Sequence, residues 1–298
     1  MVAPRSALGP LLHSSVDYAG LFPPAKLDML PAMENYATYL RSSDRWLLGS
    51  FVLPFARVEE FEELLPKIQG RSGRRWSLSL ILADSRTVRS ARLRAFLDRA
   101  GDRFEIGSFE VAPIGSRSIP AAANQLSLDA PVFFECPVDD RLEARLRAIA
   151  SAGVSAKIRT GGVEPSAFPS VVEVAHFIER CHHHLVPFKA TAGLHHALRG
   201  PNPLTYEKGS PSAWMHGFFN VSLGAALVTS GKISGGELIE LLSESAAEAF
   251  RVAGKEIRWR DRTAAREEIE RARRSFLQSF GSCSFEEPLE ELSMRGFV

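Results

Sequence analysis

Two lysines of this chain sit in nearly the same setting. Lys157 lies in SAKIRTGG and Lys189 in VPFKATAGLHH, each within a short apolar run that ends in Thr and Gly. Such runs read as buried strands with a tight turn at the carboxyl end. An isolated ammonium there loses much of its solvation, so a lysine in that position is paired, neutralised or chemically employed. Alternation along a strand puts Lys157 and Arg159 on one face, and Lys189 and Thr191 on one face of the next. If those faces point inward, two or three cations crowd one mouth. Crowding and desolvation both lower a lysine's pKa and leave free amine to attack a carbonyl. Glu135, embedded in VFFECP one strand earlier, would balance the charge and move protons. The plainer alternative is a buried ion pair between Glu135 and one lysine that only fills the interior.

A second group lies near the carboxyl terminus. In FGSCSFEE, Gly281, Ser282 and Ser284 can present backbone N–H groups and two hydroxyls ahead of a helix that starts at Glu286, which suits an anion. Arg159 offers a planar, bidentate grip on the same kind of group. The histidines support a rival chemistry: His195, His196 and His216, with Glu135 or Asp17, are ligand types for zinc or iron in a metal-dependent hydrolase. Adjacent histidines on an extended segment point opposite ways, and neither HxH nor HExxH spacing occurs around His195, His196 and His216. His182, His183 and His184 read as a helix end, where cations suit the dipole.

These groups need a frame, and the hydrophobic pattern supplies one. Strand-like runs at 11–19, 46–54, 78–83, 104–111, 132–137, 154–160, 186–191 and 276–285 alternate with helical periodicities at 27–40, 58–68, 88–100, 119–126, 142–152 and 165–183. In the last of these helices Val172, Ala175 and Ile178 are the expected buried stripe. Arg89, Arg92, Arg94 and Arg99 read as a solvated face. After the second lysine the rhythm breaks: 199–212 reads as a loop, then 213–230 and 235–250 as helices, and 269–277 as the end of a third. Eight strands alternating with helices predict a single (β/α)8 barrel over residues 1–298, with a helical insertion at 199–275 before the last strand. An open doubly wound sheet would want a Gly-rich turn after the first strand, and none is present. In a barrel the site lies at the carboxyl ends of the strands.

Bulk properties narrow the partners. Hydrophobic residues make up 45% and charged residues 24%, the balance of a globular protein with a full core. A formal net charge of +1 predicts no bulk attraction to nucleic acid or to a membrane. Cys136, Cys181 and Cys283 are odd in number and lack CxxC spacing, which fits a reducing cytoplasm. Met1–Pro10 has no apolar run of signal-peptide length. The apolar segment FFNVSLGAALV is expected either inside the insertion or in a homo-oligomer interface.

The ordered pattern resembles the deoxyribose-phosphate aldolases, class I aldolases built on this barrel. AKIRTGG is similar to that family's Schiff-base lysine strand, and FKATAGLHH to its following lysine strand, the two lysines being 189 − 157 = 32 positions apart. VFFECP is similar to its glutamate strand, SSVDYAGL to the first strand with its aspartate, here Asp17, and FGSCSFEE to its phosphate-receiving turn. The resemblance implies Lys157 as the nucleophile, Lys189 as the cation that tunes it, and Glu135 or Asp17 as proton carriers. The substrate-binding candidates are Arg159, Thr160, Thr191, His195, His196, Gly281, Ser282 and Ser284, of which Arg159, His195 and His196 depart from the family's residues, and no cofactor is expected. Where the family has a catalytic aspartate on its fourth strand, FEIGSFEV offers Glu105 or Glu110. Arg159 stands where the family keeps a small side chain. These departures point away from deoxyribose phosphate. The expected activity is a lyase acting on a small anionic carbonyl compound, an oxo-acid or sugar phosphate. A barrel that only binds anions is the non-enzymatic alternative.

Overall fold

The strand-like runs do close on themselves. In the computed structural model, which describes residues 5–72, 74–101, 103–126 and 130–298, eight parallel strands form a closed barrel. They are β1 (Val16–Tyr18), β2 (Leu48–Pro54), β3 (Trp76–Leu82), β4 (Phe104–Val111), β5 (Val132–Glu135), β6 (Ser155–Arg159), β7 (Phe188–Thr191) and, after the insertion, β13 (Leu277–Ser282). The fold is a TIM barrel. The first four residues of Met1–Pro10 lie outside the described part. Among the described residues no helix is long and apolar enough to cross a membrane.

The local reasons are those that the sequence carries. The helix Leu142–Ala152 stops because Gly153 takes a left-handed conformation (φ 65°), which costs glycine nothing. The helix Val171–His183 starts with a capping box in which Ser170 and Glu173 satisfy each other's backbone N–H groups. In this helix Ala175 and Ile178 are buried as expected, together with Val171, Val174 and Phe177, whereas Val172 is 58% exposed and faces outward. His184, at its end, pairs with Glu143 at 3.0 Å. Arg92 and Arg99 lie on a solvated face, paired with Glu59 and Glu62.

Two stretches differ from the sequence reading. Residues 11–19 are not one strand: Leu8–Leu12 is a helix with Leu8, Leu11 and Leu12 buried, and β1 begins only at Val16. An i, i+3, i+4 apolar triplet is a helical signal that the following VDY masks. The insertion carries three helices, Phe218–Thr229, Gly236–Ser243 and Arg266–Ser275, but the first two are shorter than the expected 213–230 and 235–250, since 213–215 is strand and the second helix stops at Ser243. It also carries two pieces of sheet that were not expected. The stretch read as a loop opens a hairpin of β8 (Gly200–Pro203) and β9 (Ser212–Met215). The segment 244–265 continues as an antiparallel meander of β10 (Phe250–Val252), β11 (Glu256–Trp259) and β12 (Arg262–Ala265).

The helix Phe218–Thr229 is buried all round. Phe218 stacks on Phe280 of β13, and Phe219 packs against Phe250 and Phe297. Its apolar surface is therefore covered within the chain and offers no free face to a second copy.

Candidate active site

Every strand of the barrel sends a polar side chain inward: Asp17 from β1, Ser50 from β2, Ser79 from β3, Ser108 and Glu110 from β4, Glu135 from β5, Lys157 from β6, Lys189 from β7 and Ser279 from β13. A barrel interior is more often filled with branched aliphatic side chains. Here hydrogen bonds link the layer. Lys189 Nζ donates to Asp17 Oδ2 at 2.5 Å and to Glu110 Oε1 at 2.7 Å. Lys157 Nζ lies 3.0 Å from Glu110 Oε2 and 2.9 Å from Glu135 Oε2. Ser79 Oγ donates to Glu110 Oε1 at 2.7 Å, Ser279 Oγ to Asp17 Oδ2 at 2.7 Å, and the Ser50 amide to Asp17 Oδ1 at 2.9 Å. A β-carbon on Gly49 would come within 2.4 Å of Asp17 Oδ1, so that glycine makes room for the carboxylate.

The lysines lie on adjacent strands, in register with each other and with Glu135, and share Glu110; they sit within the strands and not at their carboxyl ends, and of the three only Lys157 lines the cavity. Their electrostatics differ from the expected crowding of cations. Three carboxylates, Asp17, Glu110 and Glu135, face two ammonium groups, so the layer carries one surplus negative charge. Burial alone would lower the pKa of Lys189, but Asp17 and Glu110 outweigh it and raise it above the ordinary lysine value. Burial likewise opposes ionisation of Glu110, yet Lys189 and Lys157 hold its carboxyl well below the usual range. Lys189 is therefore a fixed ammonium committed to its partners. The Glu135–Lys157 ion pair exists, as the plainer reading expected.

Above this layer opens a cavity of about 190 Å³. Lys157 and Glu110 line its floor, while Lys189 is fully buried and reaches it only through Glu110. Arg159, Thr191, Gly281, His195 and His196 also line it, as do Cys283, Glu287 and the hairpin residues Leu204, Thr205 and Tyr206. Phe22, Val52, Ile81, Val163, Phe168 and Met215 supply apolar wall. Thr160 does not line it; its hydroxyl donates to the carbonyls of Thr191 (3.2 Å) and Ala192 (2.6 Å) and ties the ends of β6 and β7 together. That junction is tight at Gly193, which has φ +73°. A β-carbon there would lie 2.8 Å from the Phe168 ring and 3.0 Å from Gly161 Cα. Gly193→Ala is expected to destabilise the fold by about 1–3 kcal/mol, read by urea denaturation.

The glycine- and serine-rich turn is in place but largely engaged. Ser282 Oγ is 3.2 Å from His195 Nδ1 and accepts from the Ser284 amide at 3.4 Å. Ser284 Oγ accepts from the Glu287 amide at 3.2 Å. The carboxylate of Glu287 then turns into the cavity wall and pairs with His195 Nδ1 at 3.1 Å. Burial would lower the pKa of His195; contacts with Cys283 and Glu287 overcome it and raise it to about 10. His195 is thus expected to keep its proton through neutral pH, and Glu287→Gln to bring its titration down towards the ordinary histidine range, read by ¹⁵N NMR of the ring. Because the folded value is the higher one, the pair stabilises the fold fully below about pH 6.5 and loses that contribution as pH rises through about 10.

The three histidines of the metal reading do not converge. His195 pairs with Glu287, His196 Nδ1 with Glu291 at 3.2 Å, and His216 Nε2 donates to the Pro169 carbonyl at 2.7 Å, away from the cavity. Among the described residues no group of three or more His, Cys, Asp or Glu side chains is placed to hold a metal ion.

Sequence reasoning left the fourth strand undecided and missed the serines, Cys283 and Tyr206. Glu105 is about half exposed and pairs with Arg75, while Glu110 lies at the centre of the network. No family model matches the chain, and neither a curated protein nor a solved structure matches it with significance. The TIM barrel itself is common among enzymes.

Proposed function

We propose that this barrel is a class I aldolase-like lyase that binds a small anionic carbonyl compound as an iminium on Lys157. The observation that carries this reading is the position of Lys157. It is the lysine that lines the cavity, and it is held between two carboxylates, Glu110 and Glu135. To react, the ammonium gives a proton to one of them. The free amine adds to the substrate carbonyl, the carbinolamine oxygen takes a proton back, and water leaves. The iminium formed keeps the positive charge of the ammonium it replaces, so the buried network retains its balance across the sequence. When the bond between the α- and β-carbons breaks, Glu110 or Glu135 takes the proton of the β-hydroxyl, the β-carbon leaves as an aldehyde, and the electron pair passes through the α-carbon into the iminium to give an enamine, which is then protonated on carbon and hydrolysed to free Lys157. Lys189 holds Asp17 and Glu110 in place beneath, as a fixed charge.

The test is borohydride reduction of the full chain with a panel of short aldehydes and oxo-acids, followed by peptide mass mapping. A reduced adduct on Lys157 supports the proposal, and an adduct on Lys189 reverses the two roles. The complete pairing of both lysines favours a second reading, a barrel that binds anions without turnover. It would show saturable binding of the same compounds and no adduct at all.

A further inference from the structure

Which anion the cavity takes is decided by the charges that remain unspent, and this inference rests on the reading of the cavity as a carbonyl site. Of its basic lining residues, Lys157 is shared by Glu110 and Glu135, His195 is paired with Glu287, and His196 lies 3.2 Å from Glu291. Arg159 lines the same cavity and has no carboxylate partner among the described residues. The turn expected to receive a phosphate has both serine hydroxyls engaged and carries Glu287 in its wall.

We infer that the substrate is a short, unphosphorylated oxo-acid whose carboxylate is held by Arg159 while its carbonyl lies at Lys157. A carboxylate carries one charge and matches the planar guanidinium fork. A phosphate monoester carries nearly two charges at neutral pH. It would leave the cavity strongly negative and would face Glu110 and Glu287, both in the lining. Arg159 lies two residues beyond Lys157 on β6, with the same face inward, so their α-carbons are about 6–7 Å apart along the strand. That spacing suits a carbonyl and a carboxylate separated by a few bonds. The apolar wall made by Phe22, Val163, Phe168 and Met215 suits the short carbon chain between or beyond them.

The experiment uses the full chain with 2-oxobutanoate, propanal, glyceraldehyde 3-phosphate and inorganic phosphate as probes, each in calorimetric binding and, for the carbonyl compounds, in borohydride trapping. The expected result is that 2-oxobutanoate binds at least tenfold more tightly than either phosphate. Arg159→Gln should lower the ratio of 2-oxobutanoate to propanal adduct at least tenfold, and Arg159→Lys, which keeps the charge and loses the fork, should fall between. Sugar phosphate binding as tightly as the oxo-acid, or an adduct ratio unmoved in Arg159→Gln, overturns the inference and leaves the iminium reading standing. Oxo-acid binding that depends on Arg159 with no adduct from any probe retains the inference and ends the iminium reading. No binding and no adduct from any probe ends both.

Discussion

Lys157→Met is expected to lower turnover by about 10⁴-fold or more, the scale on which enzymes lose rate when a covalent nucleophile is removed. The substitution keeps an unbranched chain of similar length and removes the amine. It leaves Lys189 in place to hold Asp17 and Glu110, while Glu135, which loses its partner, is the least buried of the three carboxylates and can take up water or a proton. The variant should therefore fold and still bind the oxo-acid through Arg159, while the borohydride adduct disappears. Steady-state kinetics and mass mapping on the same preparation separate the two effects. An adduct that persists in Lys157→Met, now on Lys189, would show that the cavity-facing amine is not the nucleophile.

Lys189→Met should do the opposite and damage the fold before the chemistry. Lys189 is fully buried, and its removal leaves Asp17 and Glu110 facing each other without their common cation. Removing one partner from a buried ion pair costs about 3–5 kcal/mol. The pH dependence follows from the directions of the shifts. Glu110 is held below its unfolded value, so its contribution is complete above about pH 4.3 and is lost as pH falls through its folded value. Lys189 is raised above its unfolded value, so its contribution is complete below about pH 10.4 and is lost as pH rises through its folded value. In Lys189→Met the carboxylates can recover part of the loss by taking up a proton. The deficit relative to wild type should thus shrink between pH 7 and pH 5 in urea melts. A deficit that stays constant or grows on acidification would mean that lost packing, and not uncompensated charge, sets the cost.

The lysine strands were readable from the sequence because a charged residue inside a short apolar run has few explanations, and alternation then fixes which neighbours share its face. Glu135 was readable for the same reason. Glu110 was not, because β4 carries a bulge: the pairing with β3 slips between Leu78–Ile106 and Ser79–Ser108, leaving Gly107 extra. A slip of one residue breaks the alternation on which the choice between Glu105 and Glu110 depended. Ser50, Ser79, Ser108 and Ser279 were passed over because a serine in an apolar strand is unremarkable singly, and their common inward parity becomes visible only once the barrel is closed. The contributions of Cys283 and Tyr206 are matters of tertiary placement. Tyr206 comes from a hairpin whose first strand reads as loop, since GPNP offers prolines and a glycine where a strand usually shows β-branched residues, and whose second strand, SAWM, merges with the helical reading of 213–230.

The burial of the helix Phe218–Thr229 has a bearing on how far the protein is modular. Its neighbour in sequence, the hairpin Gly200–Met215, roofs the cavity, and the two are joined by Asn220. That side chain is wholly enclosed, accepts from the Arg199 amide at 3.1 Å and donates to the carbonyls of Leu241 (2.8 Å) and Glu244 (2.9 Å). The hairpin is the piece open to exchange: it is held at its base by that amide and by cation–π contact of Arg199 with Trp214, and along its length by the buried Leu204 and Met215 and by Tyr206, whose hydroxyl is 3.5 Å from Cys283 Sγ. The helix is not, because it fills the outer layer against β13 where the barrel would otherwise lie bare. Grafts that exchange the hairpin between Gly200 and Met215 can thus re-shape what the barrel accepts, whereas excision of 199–275 as a block would take away part of the barrel's own wall.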